Sequence, residues 1–191
     1  ITFDQASGAI LRLEYPGPGV LLEADLGEAG LVDVAYPLPE FEPLRLTARG
    51  SSGAQIEQMP DRVTVRIAAL GATRPGFAIG GQVAAEITLR TSADARSVIL
   101  SCEITNGTQR PIPQVIFPDL RGLVDVAGPD QTILKTCGFG SAPFRELAVP
   151  ETDVWYAVDN STVEHKSGGM FHSMWARWMD LGGLKGGFSL F

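Results

Sequence analysis

Residues 81–108 read GQVAAEITLRTSADARSVILSCEITNGT. In the first half, Val83, Ala85, Ile87 and Leu89 alternate with Gln82, Glu86, Thr88 and Arg90. In the second, Val98, Leu100, Cys102 and Ile104 share a face opposite Ser97, Ser101, Glu103 and Thr105. A period of two sends successive side chains to opposite faces of a pleated strand, so each run predicts a strand with one buried face. Just upstream, DRVTVRIAAL (61–70) sets Val63, Val65 and Ile67 against Arg62, Thr64 and Arg66. The connections LGATRPGFAIGG and TSADAR are turn-rich, so the three runs read as an antiparallel meander.

The same period extends outward. ITFDQASGAILRLEY (1–15) predicts a hairpin: a short strand, a polar Asp4–Gly8 turn, then Ile10, Leu11 and Leu13. Residues 21–46 are less regular, and Pro37, Pro39 and Pro43 exclude a long helix there. PIPQVIFPDLRGL (111–123) is apolar but interrupted by Pro111, Pro113 and Pro118. Proline donates no ladder hydrogen bond, so this stretch predicts an edge strand or an extended crossing segment. QTILKTCGF (131–139) and DVWYAVDNSTV (153–163) are further strand candidates. SMWARWMDL (173–181) fits both a helical and a two-residue period. The strand reading is preferred, with LGGLKGG as a hairpin loop and FSLF as the returning strand. Many short strands between Gly/Pro turns predict an all-β antiparallel sandwich, read as a single domain over 1–191.

Bulk properties narrow the function. A chain of 191 residues buries about 70% of its unfolded surface and needs no staples. The net charge of −7, with no basic run longer than two residues, argues against nucleic acid as a partner. No apolar stretch approaches the length of a membrane span. No signal-peptide pattern opens the chain. Its first residue is Ile1 rather than Met, which leads to the expectation of a cleavage or domain boundary in a longer protein. Cys102 and Cys137 match no zinc or CxxC spacing; nothing signals a disulfide between them, and they read as buried free thiols. Asn106-Gly-Thr and Asn160-Ser-Thr are glycosylation sequons, relevant only in a eukaryotic secretory setting.

Catalytic motifs are sparse. The histidines are His165 and His172, there is no G-x-S-x-G elbow, and neither cysteine has a catalytic signature. Glu164, His165, His172 and Asp180 have metal-ligand chemistry but no metal-ligand spacing, so no metal or other cofactor is expected. Neither GFAIGG nor LGGLKGG has a phosphate-loop frame. Twenty-two acidic residues supply many carboxylates, and spacing singles out no glycosidase pair. Large aromatics cluster near the end: Trp155, Tyr156, Trp175 and Trp178. Such rings fill cores, and they also stack on the apolar face of a sugar.

Three segments carry a resemblance. FDQASGAILRLEY resembles the opening hairpin of the N-terminal β-supersandwich found in many glycoside hydrolases. ITNGTQRPIPQVIFPDLRGL is similar to a later segment of such domains, through Asn106, Phe117, Pro118, Leu120, Gly122 and Leu123. SMWARWMDLGGLKGGFSLF resembles the domain's end, through Ser173, Met174, Trp178, Met179, Asp180, Leu181, Gly186 and Gly187. Trp175 and Ala176 intrude in that last motif, and FSLF replaces an aromatic-rich strand.

The resemblance implies a galactose mutarotase-like fold that precedes a (β/α)8 barrel, with the catalytic carboxylates on the barrel. The parent would be an α-galactosidase-like or α-N-acetylgalactosaminidase-like enzyme, and this chain a non-catalytic fragment of it. Carbohydrate and the intramolecular barrel are then the expected partners. Trp155, Trp175, Trp178 and Asp180 are the candidates for substrate or domain-interface contact. Three other readings stay open. One is a self-contained carbohydrate-binding module, in which loss of a tryptophan costs about 1–3 kcal/mol of binding. The second is a mutarotase-like epimerase using His172 with Asp180, or His165 with Asp159. The third is a structural sandwich that contacts only protein.

Overall fold

The computed structural model describes residues 1–17, 19–38, 44–51, 53–74, 76–93 and 97–124, and the backbone of residues 133–136, 140–143, 179–183 and 186–190. All regular structure there is β. The strands are β1 (Thr2–Phe3), β2 (Ile10–Tyr15), β3 (Gly19–Glu23), β4 (Asp33–Tyr36), β5 (Leu44–Thr47), β6 (Gln55–Met59), β7 (Arg62–Ile67), β8 (Gly71–Ala72), β9 (Val83–Thr91), β10 (Val98–Asn106), β11 (Gln114–Ile116), β12 (Ile133–Thr136), β13 (Gly140–Pro143), β14 (Met179–Gly183) and β15 (Gly186–Leu190). They form one three-stranded sheet, β1-β2-β3, and three four-stranded sheets, β10-β9-β7-β6, β11-β4-β5-β8 and β13-β12-β14-β15. The chain divides into two compact units, residues 1–12 with 24–122, and residues 13–23 with 123–191.

In the first unit the predicted meander is present: β7 pairs with β9 and β9 with β10, all antiparallel. The alternation sorts as expected on the central strand, where Val83, Ala85, Ile87 and Leu89 are buried and Glu86 and Arg90 exposed. Fully burying a side chain such as Ile87 stabilises the fold by about 1.5–3 kcal/mol. Thr64 departs from the pattern. It is buried although it shares the outward face with Arg66, because it is short and lies between Glu57 and Thr88 on the flanking strands.

The second sheet of this unit has its own apolar face. Val34 and Tyr36 on β4 lie opposite Leu46 and Leu44 on β5, and all four are buried. Two antiparallel sheets, each with one apolar face, in one compact unit make an antiparallel β-sandwich. As the prolines predict, β11 is an edge strand, pairing among the described residues with β4 alone. β8, inside the turn-rich LGATRPG, leaves the meander and pairs with β5.

The opening hairpin has the expected turn. Asp4 accepts hydrogen bonds from the amides of Ala6 and Ser7 and from the Ser7 hydroxyl. Gly8 closes the turn with φ 76°, a backbone conformation that glycine adopts without steric cost. A Cβ there would also run into the Val65 side chain.

In the second unit the ladder extends further than the sequence suggests. LGGLKGG reads as a loop, yet Gly182 pairs with Gly187 and Gly183 with Gly186. Pairing runs through backbone groups, so glycine does not interrupt it, and β14 and β15 are joined across residues 184–185 alone. The strand candidate at 153–163 and residues 173–178 of the SMWARWMDL segment lie outside the described residues.

Candidate functional site

The back of the β4–β5 pair carries a cluster of charge. On that face Asp33, Ala35, Arg45 and Thr47 sit side by side, with Gln114 of β11 next to Ala35. Asp33 is only 4% exposed, in the middle of the apolar run LVDVAY. Arg45 Nε stands 2.9 Å from Asp33 Oδ1, and an Arg121 nitrogen 3.9 Å from Oδ2. Asp33 Oδ1 is nonetheless buried without a formed hydrogen bond, so the Arg45 N–H is not aimed at it; the pairing is ionic rather than directed. Arg45 also reaches Gln114 Oε1 at 3.4 Å.

The second carboxylate comes from FPDLRG. Asp119 is 6% exposed and receives both its hydrogen bonds from Arg121 Nε, at 2.9 and 3.0 Å. Burial pushes its carboxyl above the ordinary carboxylate value. Arg121 and Arg49 oppose that shift, and the Asp33 charge adds to it.

A backbone hydrogen bond ties this segment to residues 29–32. The Phe117–Pro118 peptide is cis, and Gly122 has φ 73°. The Asp119 amide donates to Leu31 O at 3.0 Å, while the Ile10 and Ala48 amides donate to Gly30 O and Val32 O. Residues 29–32 are therefore stitched on several sides, and all are buried. Gly30 lies hard against Asp119: a Cβ there would meet the Asp119 carbonyl and stand 2.8 Å from its Oδ2.

A separate polar surface lies on the outward face of the meander. Glu86, Thr88, Ser101 and Glu103 line a shallow depression. Glu86 and Glu103 are directly opposite on β9 and β10, an unfavourable like-charge pair. Arg66 offsets it by bonding Glu86 at 2.9 Å and Glu57 at 3.0 Å, and those two contacts hold its guanidinium above the ordinary value.

Among the described residues, no three His, Cys, Asp or Glu gather as a metal site, and no helix is long and apolar enough to cross a membrane. Cys102 is a half-buried free thiol, raised to about 11 by burial.

Of the candidates from the sequence, Trp155, Trp175 and Trp178 lie outside the described residues. Asp180 is on β14, with Lys135 and Ser189 as its backbone neighbours on either side. Sequence reasoning passed over Asp33, Asp119 and Arg121. The signals are a lone Asp inside LVDVAY and the two charged residues in FPDLRG, where the resemblance rests on Phe117, Pro118, Leu120 and Gly122.

Compared with family models, curated proteins and solved structures, the chain matches none.

Proposed function

We propose that this chain is a non-catalytic β-sandwich domain of a glycoside hydrolase, of the galactose mutarotase-like supersandwich kind. It packs on a (β/α)8 barrel that carries the catalytic carboxylates, and it contributes to the carbohydrate site from outside. The observation that carries the reading is the state of Asp33 and Asp119. A general acid or nucleophile must reach substrate. Both carboxylates are instead enclosed and matched by Arg45 and Arg121. Their work is to hold the Phe117–Gly122 segment, which carries part of the family resemblance, against the sheet.

The test has two arms. The 191-residue chain is assayed against aryl α-galactosides and α-N-acetylgalactosaminides, and the gene is read beyond Phe191. The reading expects no turnover from this chain and a continuation into alternating strand–helix repeats. A stop codon directly after Phe191 sinks it. Glycan binding by the isolated chain that is lost on Trp155→Ala, Trp175→Ala or Trp178→Ala would favour a self-contained binding module instead.

A further inference from the structure

We propose that the chain self-associates through the edge of β10, which pairs antiparallel with β10 of a second copy about a two-fold axis at Cys102. Among the described residues, β10 has one strand neighbour, β9, so its other edge presents a row of backbone donors and acceptors. The strand is nine residues long, and Ile99 and Val98 are 59% and 41% exposed.

The other edges of the two sheets in this unit are guarded. β8 has two residues, and β11 has three with prolines before and after. β6 has five, with Glu57 engaged by Arg66. β10 has no Pro, Lys or Arg, and Glu103 is its one charge.

The sequence of β10 is complementary to itself. Cys102 is the midpoint of Val98–Asn106, so an axis there pairs all nine residues. Leu100 then faces the partner's Ile104 on the apolar side, extending the row that Leu89, Ile87 and Ala85 form on β9. On the outward side Ile99 faces the partner's Thr105, and Ser101 faces the partner's Glu103, a hydroxyl donor against a carboxylate. Apolar and β-branched cross-strand pairs of this kind stabilise a ladder. Moving the axis to Glu103 sets that carboxylate against its own copy, and moving it to Ser101 leaves residues unpaired. A closed two-fold interface follows, with the same patch used on both subunits.

The register makes a signed prediction, read by sedimentation equilibrium of the 191-residue chain. Ser101→Glu places like charges opposite each other twice, and weakens the dimer about fivefold. Ser101→Lys places opposite charges there twice, and tightens it by a similar factor. Each copy carries −7, so added salt strengthens association. In a Cys137→Ser background, copper–phenanthroline oxidation joins the two copies through Cys102, because opposed Cα atoms lie about 4.5–5.5 Å apart, within disulfide reach. Leu26→Lys, which alters another exposed apolar side chain, leaves the dimer unchanged. A monomer at about 100 times the concentration of a micromolar dissociation constant overturns the proposal. So does a dimer that responds to Ser101→Glu and Ser101→Lys with the same sign, or one that Cys102 does not cross-link.

Discussion

Two aspartates with opposite shifts give this chain an acid–base signature. Asp119 is raised from its ordinary value of 3.8 by burial, so the folded state holds its proton more tightly than the unfolded state does. Its contribution to stability is full below 3.8 and is lost as pH rises through the folded value. Asp4 has the other sign. The Ser7 hydroxyl lowers it, so its contribution is full above 3.8 and is lost as pH falls through its folded value. Urea unfolding between about pH 3 and pH 6 reads both groups. The difference between Asp119→Asn and the parent chain changes above 3.8, and that between Asp4→Asn and the parent changes below it. A difference for Asp119→Asn that is flat with pH contradicts the burial assignment. Gly30 is a second residue-scale test. Its Cβ position is occupied by Asp119, so Gly30→Ala costs about 1–3 kcal/mol through forced displacement. Gly27→Ala, with open space around it, stays within about 0.5 kcal/mol of the parent.

At the scale of the element, burial within one sheet ranks the strands. Ile87 on β9 is fully buried between β7 and β10, whereas Ile104 on β10 is half-buried at an edge. Ile87→Ala therefore costs about 3–4 kcal/mol, and Ile104→Ala about 1 kcal/mol, in the same denaturation assay at a concentration too low for the chain to dimerise. Equal costs would mean that β10 is as enclosed as β9. The difference also explains what could be read from sequence. Alternation is a local property, so DRVTVRIAAL, GQVAAEITLR and RSVILSCEITN declared their strands and, on β9, their buried face. β8 escaped because its two residues, Gly71 and Ala72, have no period; only pairing with Leu46 and Thr47 makes them a strand. Likewise Asp33 and Asp119 are 86 positions apart. They come together through the register of β4 and the amide of Asp119 on Leu31, which no short window contains. Glu86 and Glu103 are neighbours by the β9–β10 register alone.

For the molecule as a whole, the question is what the buried charge is for. Enclosing Asp33 with Arg45 and Arg121 adds little net stability compared with an apolar core, because desolvation opposes the attraction. Removing Arg45 is different, since it takes the nearest positive charge from the buried Asp33, at a cost of about 3–5 kcal/mol. Such a cluster therefore fixes one arrangement of β4, β5 and the Phe117–Gly122 segment rather than adding to stability overall. This separates a scaffold from an active site. If Asp33 or Asp119 moved a proton in catalysis, replacing it would lower kcat by about 100- to 10,000-fold in a folded protein. If they hold the fold, Asp33→Ala in the parent glycosidase that the proposed function requires lowers the unfolding midpoint, because Arg45 loses its carboxylate. The kcat of the molecules that remain folded, counted by active-site titration, then stays within about twofold of the parent's, since no reacting group has changed. The double variant Asp33→Leu with Arg45→Leu removes the enclosed carboxylate together with its nearest arginine and recovers part of the lost stability, whereas a catalytic aspartate would not be rescued by removing its arginine.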